Sequence, residues 1–277
     1  MAGKRVGVDT ATIHLQVLGQ DRELTFPVGI GPRAVTDLLR SARELGQRIS
    51  QIAVEHVEAE GRQVSCKLGC AACCRHLIPI SAVEAVSLAA VVAAMPTERQ
   101  AEVRRRFAAA VERLEGAGLL DAKARKGREA LVSDAASRDS SESPWENVSR
   151  RYFELHLACP FLVDEACGIY EDRPLVCGEY QVTTPSEWCD ELSPRVESVP
   201  RPARMGEVLT DAANALLGTK SPMIPLPLAL EWASARGARF HRVKDGEAMF
   251  WSLLEHMETE SPIRPEEQGD SPPSASS

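Results

Sequence analysis

The stretch SCKLGCAACCRH, residues 65–76, seats four cysteines in nine positions: Cys66, Cys70, Cys73 and Cys74. A second set, Cys159, Cys167, Cys177 and Cys189, follows after 84 cysteine-free residues and completes the chain's eight. Crowded thiols repel one another once ionised and oxidise readily, so a reducing cell leaves them unliganded only at a cost. Disulfides solve that problem in oxidising compartments and in domains too small to build a core. This chain shows neither sign: it has 277 residues, 44% of them hydrophobic, and its N-terminus MAGKRVGVDTATIHL lacks the apolar segment of a secretory signal. Metal binding is the better answer. Thiolate sulfur is soft and selects zinc, copper(I) or iron–sulfur iron, whereas magnesium and calcium take oxygen.

Spacing refines this. Cys66, Cys70, Cys73 and Cys74 stand at i, i+4, i+7 and i+8, so a helical segment turns all four to one side unless Gly69 breaks it into a knuckle. The adjacent pair Cys73–Cys74 is awkward for one tetrahedral ion. It points to two metals, to a polynuclear cluster, or to one ligand beside a redox thiol. In the second set, seven, nine and eleven residues separate successive cysteines, too far apart for a self-contained knuckle, so these thiols complete a site begun by the first set. Pro174 reads as a first helical position that places Cys177 in the first turn, where free amides favour thiolate. Arg75, Lys67 and Arg173 are the candidates to offset surplus negative charge. His76 and His156 are positioned for a three-cysteine, one-histidine site, but eight thiols leave them more naturally at the surface or behind the ligands. Tyr170 and Tyr180 flank the second set and read as packing over it.

The elements that must position these groups are mostly helical. Ile13, Leu15 and Val17 alternate with polar residues and GQD leads into LTFPV, a short β-hairpin. A helix follows from Pro32 to about residue 58 on Val35, Leu38, Leu39, Ala42, Leu45, Ile49 and Ile52, and FPVGIGPR before it is a turn and helix cap rather than a phosphate loop. Ser81–Glu84 and Thr97–Gln100 read as capping boxes opening two helices, the second striped by Val103, Phe107, Val111 and Leu114 and closed by Gly116–Gly118. Residues 134–143 are Ser-rich and read as a linker. Ser143–Glu146 caps a helix carrying Trp145, Val148, Tyr152 and Leu155, and Thr184–Glu187 repeats such a start before Cys189. Helical patterns at 204–217, 227–236 and 246–258 pad the core, and 261–277 reads as a disordered tail. The expected fold class is mainly α (α+β): a helical domain with a small N-terminal hairpin and an irregular cysteine-rich core. The expected organisation is 1–61 hairpin and helix, 62–190 metal-binding domain, 191–260 C-terminal helices, and the tail.

Net charge is −8 with a pI near 5.4, which argues against nucleic acid and anionic membranes as partners. The basic run Lys123, Arg125, Lys126 and Arg128 reads as a solvated helix face. No run of 18 apolar residues occurs, and the expected location is the cytoplasm.

Taken together, Cys66-x3-Cys70-x2-Cys73-Cys74, the trailing IPISAVEA helix, CPFL, C-x-IY-x-x-RP-x-x-C and a final cysteine resemble the YkgJ-type cysteine-cluster family over residues 62–190. Members are described as zinc- or iron-chelating, and relatives include the flagellin lysine N-methylase FliB. The resemblance implies metal ligation by Cys66, Cys70, Cys73, Cys74, Cys159, Cys167 and Cys177, with Cys189 closing the pattern, around an iron–sulfur cluster (4Fe-4S) or zinc. One departure is Gly178, where many members carry Arg. Cys66, Cys70 and Cys73 also read as C-x3-C-x2-C, but the βα-barrel pattern of radical-SAM enzymes is absent. Three functions remain open: an iron–sulfur protein acting in redox chemistry or protein modification, a structural zinc scaffold for a protein partner or substrate, and a lysine N-methylase-like enzyme, for which no SAM-binding loop is recognisable.

Overall fold

The computed structural model describes residues 7–121, 123, 127–132, 144–191 and 193–257. The expected linker at 134–143, the tail at 261–277, Arg125, Lys126, Ser143 and the side chain of Trp145 lie outside them. Strands β1 (Gly7–Val17) and β2 (Gln20–Ile30) form an antiparallel hairpin in the register Val17↔Gln20 to Gly7↔Ile30. It is longer than the sequence pattern indicates, and its turn is Leu18–Gly19 rather than GQD. Both turn residues have positive φ, 51° and 73°, as a two-residue hairpin turn demands. Ile13, Leu15, Val17, Phe26 and Val28 point inward from the two strands.

The chain then departs from expectation. Gly31 turns it at φ 76°, and Pro32–Ala34 become strand β3, so the first long helix does not start at Pro32. A 3-10 turn at Val35–Asp37 precedes α1 (Leu38–Ala59). The strand wins because β8 (Val243–Asp245), at the far end of the chain, pairs with β3, and the Gly246 N–H donates to the Gly31 carbonyl at 2.8 Å. A local pattern carries no trace of so distant a partner.

Ser81 and Glu84 form the expected reciprocal cap of α2 (Ala82–Ala93), a motif contributing about 1 kcal/mol. The second expected box does not form. Pro96 is the N-cap of α3 (Thr97–Gly116), and the Gln100 amide reaches back to donate to the carbonyls of Val92 and Ala93 at 3.1 and 3.0 Å, satisfying the end of α2 instead. Val103, Phe107, Ala110 and Leu114 are the buried stripe of α3. Arg128 is not on a solvated face: it is 9% exposed and donates to both oxygens of Glu231 at 2.8 Å and to Glu115, tying residues 127–132 to α3 and to α7 (Ala229–Arg236). Helix α4 (Pro144–Glu154) buries Val148 and Tyr152 and leads into the second cysteine set.

Between α2 and the C-terminal part, β4 (Pro79–Ile80) pairs with β7 (Ile224–Pro225). After the second cysteine set, α6 (Met205–Leu217), α7 (Ala229–Arg236) and α8 (Gly246–Glu255) supply much of the core, as their stripes indicate. One apolar cluster joins Ile13 of the hairpin to Met257 and holds the fully buried Trp232, Phe161, Phe240 and Phe250. Helix α1 lies so close to α6 that a Cβ at Gly46 would stand 2.9 Å from Met205 Cγ. Gly46→Ala is therefore expected to destabilise the fold by about 1–3 kcal/mol despite its better helix propensity, measured by urea unfolding; a stabilised variant would refute this close packing.

Candidate metal centre

The first cysteine segment is a knuckle, not a helix. The Cys70 N–H donates to the Lys67 carbonyl at 2.9 Å across a turn whose third residue, Gly69, has φ 86°, a conformation that favours glycine. A 3-10 turn, Ala72–Arg75, then carries Cys73 and Cys74. The Ser65 N–H pairs with the Val182 carbonyl at 2.8 Å, and the Val182 N–H returns to Cys66 Sγ at 3.4 Å. These bonds anchor the first segment directly on the second.

The second segment wraps round it. The Cys159 N–H donates to the Cys74 carbonyl at 2.7 Å, and the Phe161 and Leu162 amides point at the Cys159 sulfur. A small hairpin, β5 (Leu162–Val163) and β6 (Ala166–Cys167), turns through Asp164 and Glu165 and sets Cys167 opposite Leu162. Glu165 at its tip accepts from both Arg75 terminal nitrogens, at 3.2 and 2.7 Å, which clamps the hairpin to the 3-10 turn. Pro174 is the N-cap of the short helix α5 (Leu175–Glu179) rather than its first residue, and Cys177 sits in the first turn. The region around Thr184–Glu187 gives a 3-10 helix, Ser186–Glu191, and not a capped α-helix; Thr184 Oγ1 accepts from the Glu197 N–H at 3.2 Å instead. This 3-10 helix buries Cys189, 4% exposed.

Two buried carboxylates hold α5 in place, and neither stands out in the sequence as part of the site. Glu84 Oε2 accepts from the Ser81 N–H and hydroxyl at 2.7 and 2.8 Å, while its Oε1 accepts from the Leu175 N–H at 2.8 Å. Glu179, two residues past Cys177, accepts from the Met205 N–H at 3.1 Å and so caps α6. Each carboxylate faces the positive end of a helix dipole. Burial pushes both above the usual carboxylate range, Glu179 to about 7.

Cys66, Cys70, Cys73, Cys74, Cys159, Cys167 and Cys177 line one cavity of about 90 Å³, together with Tyr170, Tyr180, Lys67 and Arg173. Cys189 is not on its wall but acts electrostatically on Cys66, Cys73 and Cys70. Cys74 donates to Cys73, which draws Cys73 down to about 7 and pushes Cys74 upward. Burial raises Cys159 and Cys189 to about 11 each, and burial with the nearby Cys159, Cys73 and Cys167 raises Cys177 well above the ordinary thiol. Its place at a helix start does not overcome that desolvation. Arg173 is the cation that acts on Cys66 and Cys73, and a Cβ at Gly178 would lie 3.7 Å from its guanidinium. Arg75 is instead spent on Glu165. Among the described residues, no three Cys, His, Asp or Glu side chains form a finished ligand set. The sulfurs surround a space rather than meeting at a point, and rotation about the cysteine Cα–Cβ bonds is the movement that would close them on a guest. The seven thiols on the wall and the amide donors to Cys66 and Cys159 fit a soft, cationic centre.

The histidines lie apart from this cavity. His76 Nε2–H donates to the Cys189 carbonyl at 2.7 Å and its ring meets Phe153 edge-on at 5.3 Å. His156 is exposed and packs near Phe153.

Residues 65–194 match the family model described as "Putative zinc- or iron-chelating domain", of CxxCxxCC type. This is the cysteine-cluster family whose likeness the motifs carry; the match does not extend to the lysine N-methylase relation. No curated protein and no solved structure matches the chain. No helix among the described residues is long and apolar enough to cross a membrane.

Glu179 generates a pH prediction. Its folded pKa of about 7 lies above the ordinary carboxylate range, so its contribution is fully present below that range and is lost as pH rises through 7. Glu179→Gln keeps an acceptor for the Met205 N–H but cannot ionise. The variant is expected to gain stability relative to the wild type as pH rises from about 6 to about 8, a range in which thiolates keep their metal, read by urea unfolding; a pH-independent difference would contradict the assignment.

Proposed function

We propose, from the premise that residues 65–194 form a zinc- or iron-chelating domain, that this domain carries an iron–sulfur cluster and that the protein acts in redox chemistry or cluster-dependent protein modification. The observation that carries the reading is the single cavity of about 90 Å³ between seven cysteines drawn from both segments. A water needs only about 10–15 Å³ on the same measure, so the space between the sulfurs exceeds what one tetrahedral ion, bonded at about 2.3 Å, requires. The adjacent Cys73 and Cys74 suit a polynuclear centre for the same reason. Such a cluster supplies one-electron chemistry when bound. This chain's part is to exclude solvent, direct amide donors at Cys66 and Cys159, and place Arg173 against the surplus negative charge.

A second reading has its own support. The electrostatic neighbours sort into Cys66, Cys70 and Cys189 on one side and Cys74, Cys159, Cys167 and Cys177 on the other, with Cys73 acting on both. Two four-thiolate zinc sites joined at Cys73–Cys74 would make the domain a structural scaffold. Anaerobic purification, an absorbance spectrum, and iron, zinc and acid-labile sulfide per chain separate the two. A brown protein with iron and sulfide is expected; a colourless one with two zinc ions would establish the scaffold.

The position of Cys73 at the junction gives a further expectation under either metal. Cys73→Ser should abolish metal retention, while Cys189→Ser, off the cavity wall, should retain part of it. Equal metal content in both purified variants and the wild type would overturn the ligand assignment.

A further inference from the structure

A second and larger cavity, of about 530 Å³, lies against the cysteine cavity and shares Cys73, Cys177, Ile78 and Tyr180 with it. That volume is in the range of pockets that enclose small organic molecules. One part of its wall is apolar: Leu77, Ile78, Val176 and Met223, with the Phe153 ring braced edge-on by His76 at 5.3 Å. The other part is charged, and most of that charge is already engaged. Arg204 pairs with Glu207 at 3.3 Å, and Glu179 accepts from the Met205 N–H at 3.1 Å. Arg201 differs from these. It is half-buried on the wall, 5.8 Å from the Tyr180 ring, and has neither an ion pair nor a hydrogen bond among the described residues. A guanidinium offers five donors in a planar fork suited to carboxylate or phosphate oxygens.

We propose that this cavity binds a small organic acid, its anionic group on Arg201 and its apolar body against Phe153 and Met223, next to the cysteine centre. The placement rests in part on the metal-centre reading, because the shared wall is what would bring the ligand to the metal. The binding itself does not depend on which metal is held.

The test uses anilinonaphthalene sulfonate, an anion with an apolar aromatic body whose fluorescence rises on leaving water, added to the full-length protein. One saturable site is expected. Arg201→Ala should weaken it at least tenfold, Arg201→Lys should recover most of the loss, and Arg104→Ala, on the exposed face of α3, should leave it unchanged. Ser149→Trp, which fills the cavity from the α4 wall, should abolish binding even if the alanine variant folds poorly, with circular dichroism reporting the fold of each. Displacement by benzoate but not phenyl phosphate identifies a carboxylate ligand, and the reverse a phosphate. Failure to bind, or equal binding by wild type, Arg201→Ala and Ser149→Trp, overturns the proposal. Metal content measured on the same samples keeps the two readings apart: Arg201-dependent binding without metal sustains the pocket and removes the metal centre, while metal without such binding does the opposite.

Discussion

The site depends on one buried carboxylate. Glu84 is 2% exposed, yet it receives the Ser81 amide, the Ser81 hydroxyl and the Leu175 amide. An isolated carboxylate there would cost several kcal/mol, and the three donors are what make its burial tolerable. One residue thereby completes the cap of α2 and fixes the start of α5, the helix that presents Cys177. Glu179 repeats the device one helix further on by capping α6. The sequence α2, α5, α6 is thus linked by two acids through helix N-termini, and the cysteine wall is held by the helical scaffold rather than by its own short turns. Glycine at position 46 belongs to the same arrangement, because it lets α1 approach both Met205 and Glu179.

Within that frame the thiols are set against one another. Burial and mutual repulsion oppose ionisation at Cys66, Cys159, Cys177 and Cys189, so as free groups they stay protonated in the neutral range. Yet amides are aimed at Cys66 and Cys159, Cys74 donates to Cys73, and Arg173 stands beside them. Those features favour negative sulfur. The two tendencies are reconciled when a cation replaces the protons, since it neutralises the thiolates while retaining the donors. Arg173 also bears on the departure at Gly178: a side chain there would meet its guanidinium, so the charge reaches the centre from five residues upstream.

Legibility in the sequence followed the range of the interaction. Helices with a long apolar stripe, such as α1, α3 and α6, could be read from spacing, as could the hairpin, because its alternation is local. The Ser81–Glu84 box was legible as a cap, but its second role was not, since the Leu175 amide it serves is 91 residues away. The Thr97 box looked the same and failed, because the tight link between α2 and α3 let Gln100 serve the preceding helix. Strands of two or three residues, β3 with β8 and β4 with β7, are too short to show a period and exist only through distant partners. Cysteine spacing pointed to thiols of the two sets standing together, and the fold brings both to one cavity wall. It could not reveal that seven thiols share one cavity, or that the histidines beside them face elsewhere. Arg201 had no signal at all, because its significance lies in standing on a cavity wall without an ion pair or hydrogen bond, which only the folded chain can show.

The apolar core is built mostly outside the cysteines, although Cys159 and Cys167 pack against it. Many of its largest buried side chains, Trp232, Phe240, Phe250, Leu45 and Met205 among them, come from the helices, and the cysteine segments join it chiefly through Phe161, Ile169 and Leu175. A structural metal in a small finger supplies nearly all of the folding energy, about 10–16 kcal/mol against a domain stability of about 5–15. Here the helical frame has its own apolar cluster, whereas the knuckle at Lys67–Cys70 and the β5–β6 hairpin are held by polar ties: the Arg75–Glu165 clamp, Arg106 and Arg99 of α3 donating to the Leu162 and Gly168 carbonyls, and a few backbone bonds. Metal energy is therefore concentrated where packing is thinnest. Loss of the metal should loosen these two turns first and leave Glu84 still joining α2 to α5, so the wall carrying Cys177 would persist as the surface on which the centre reassembles.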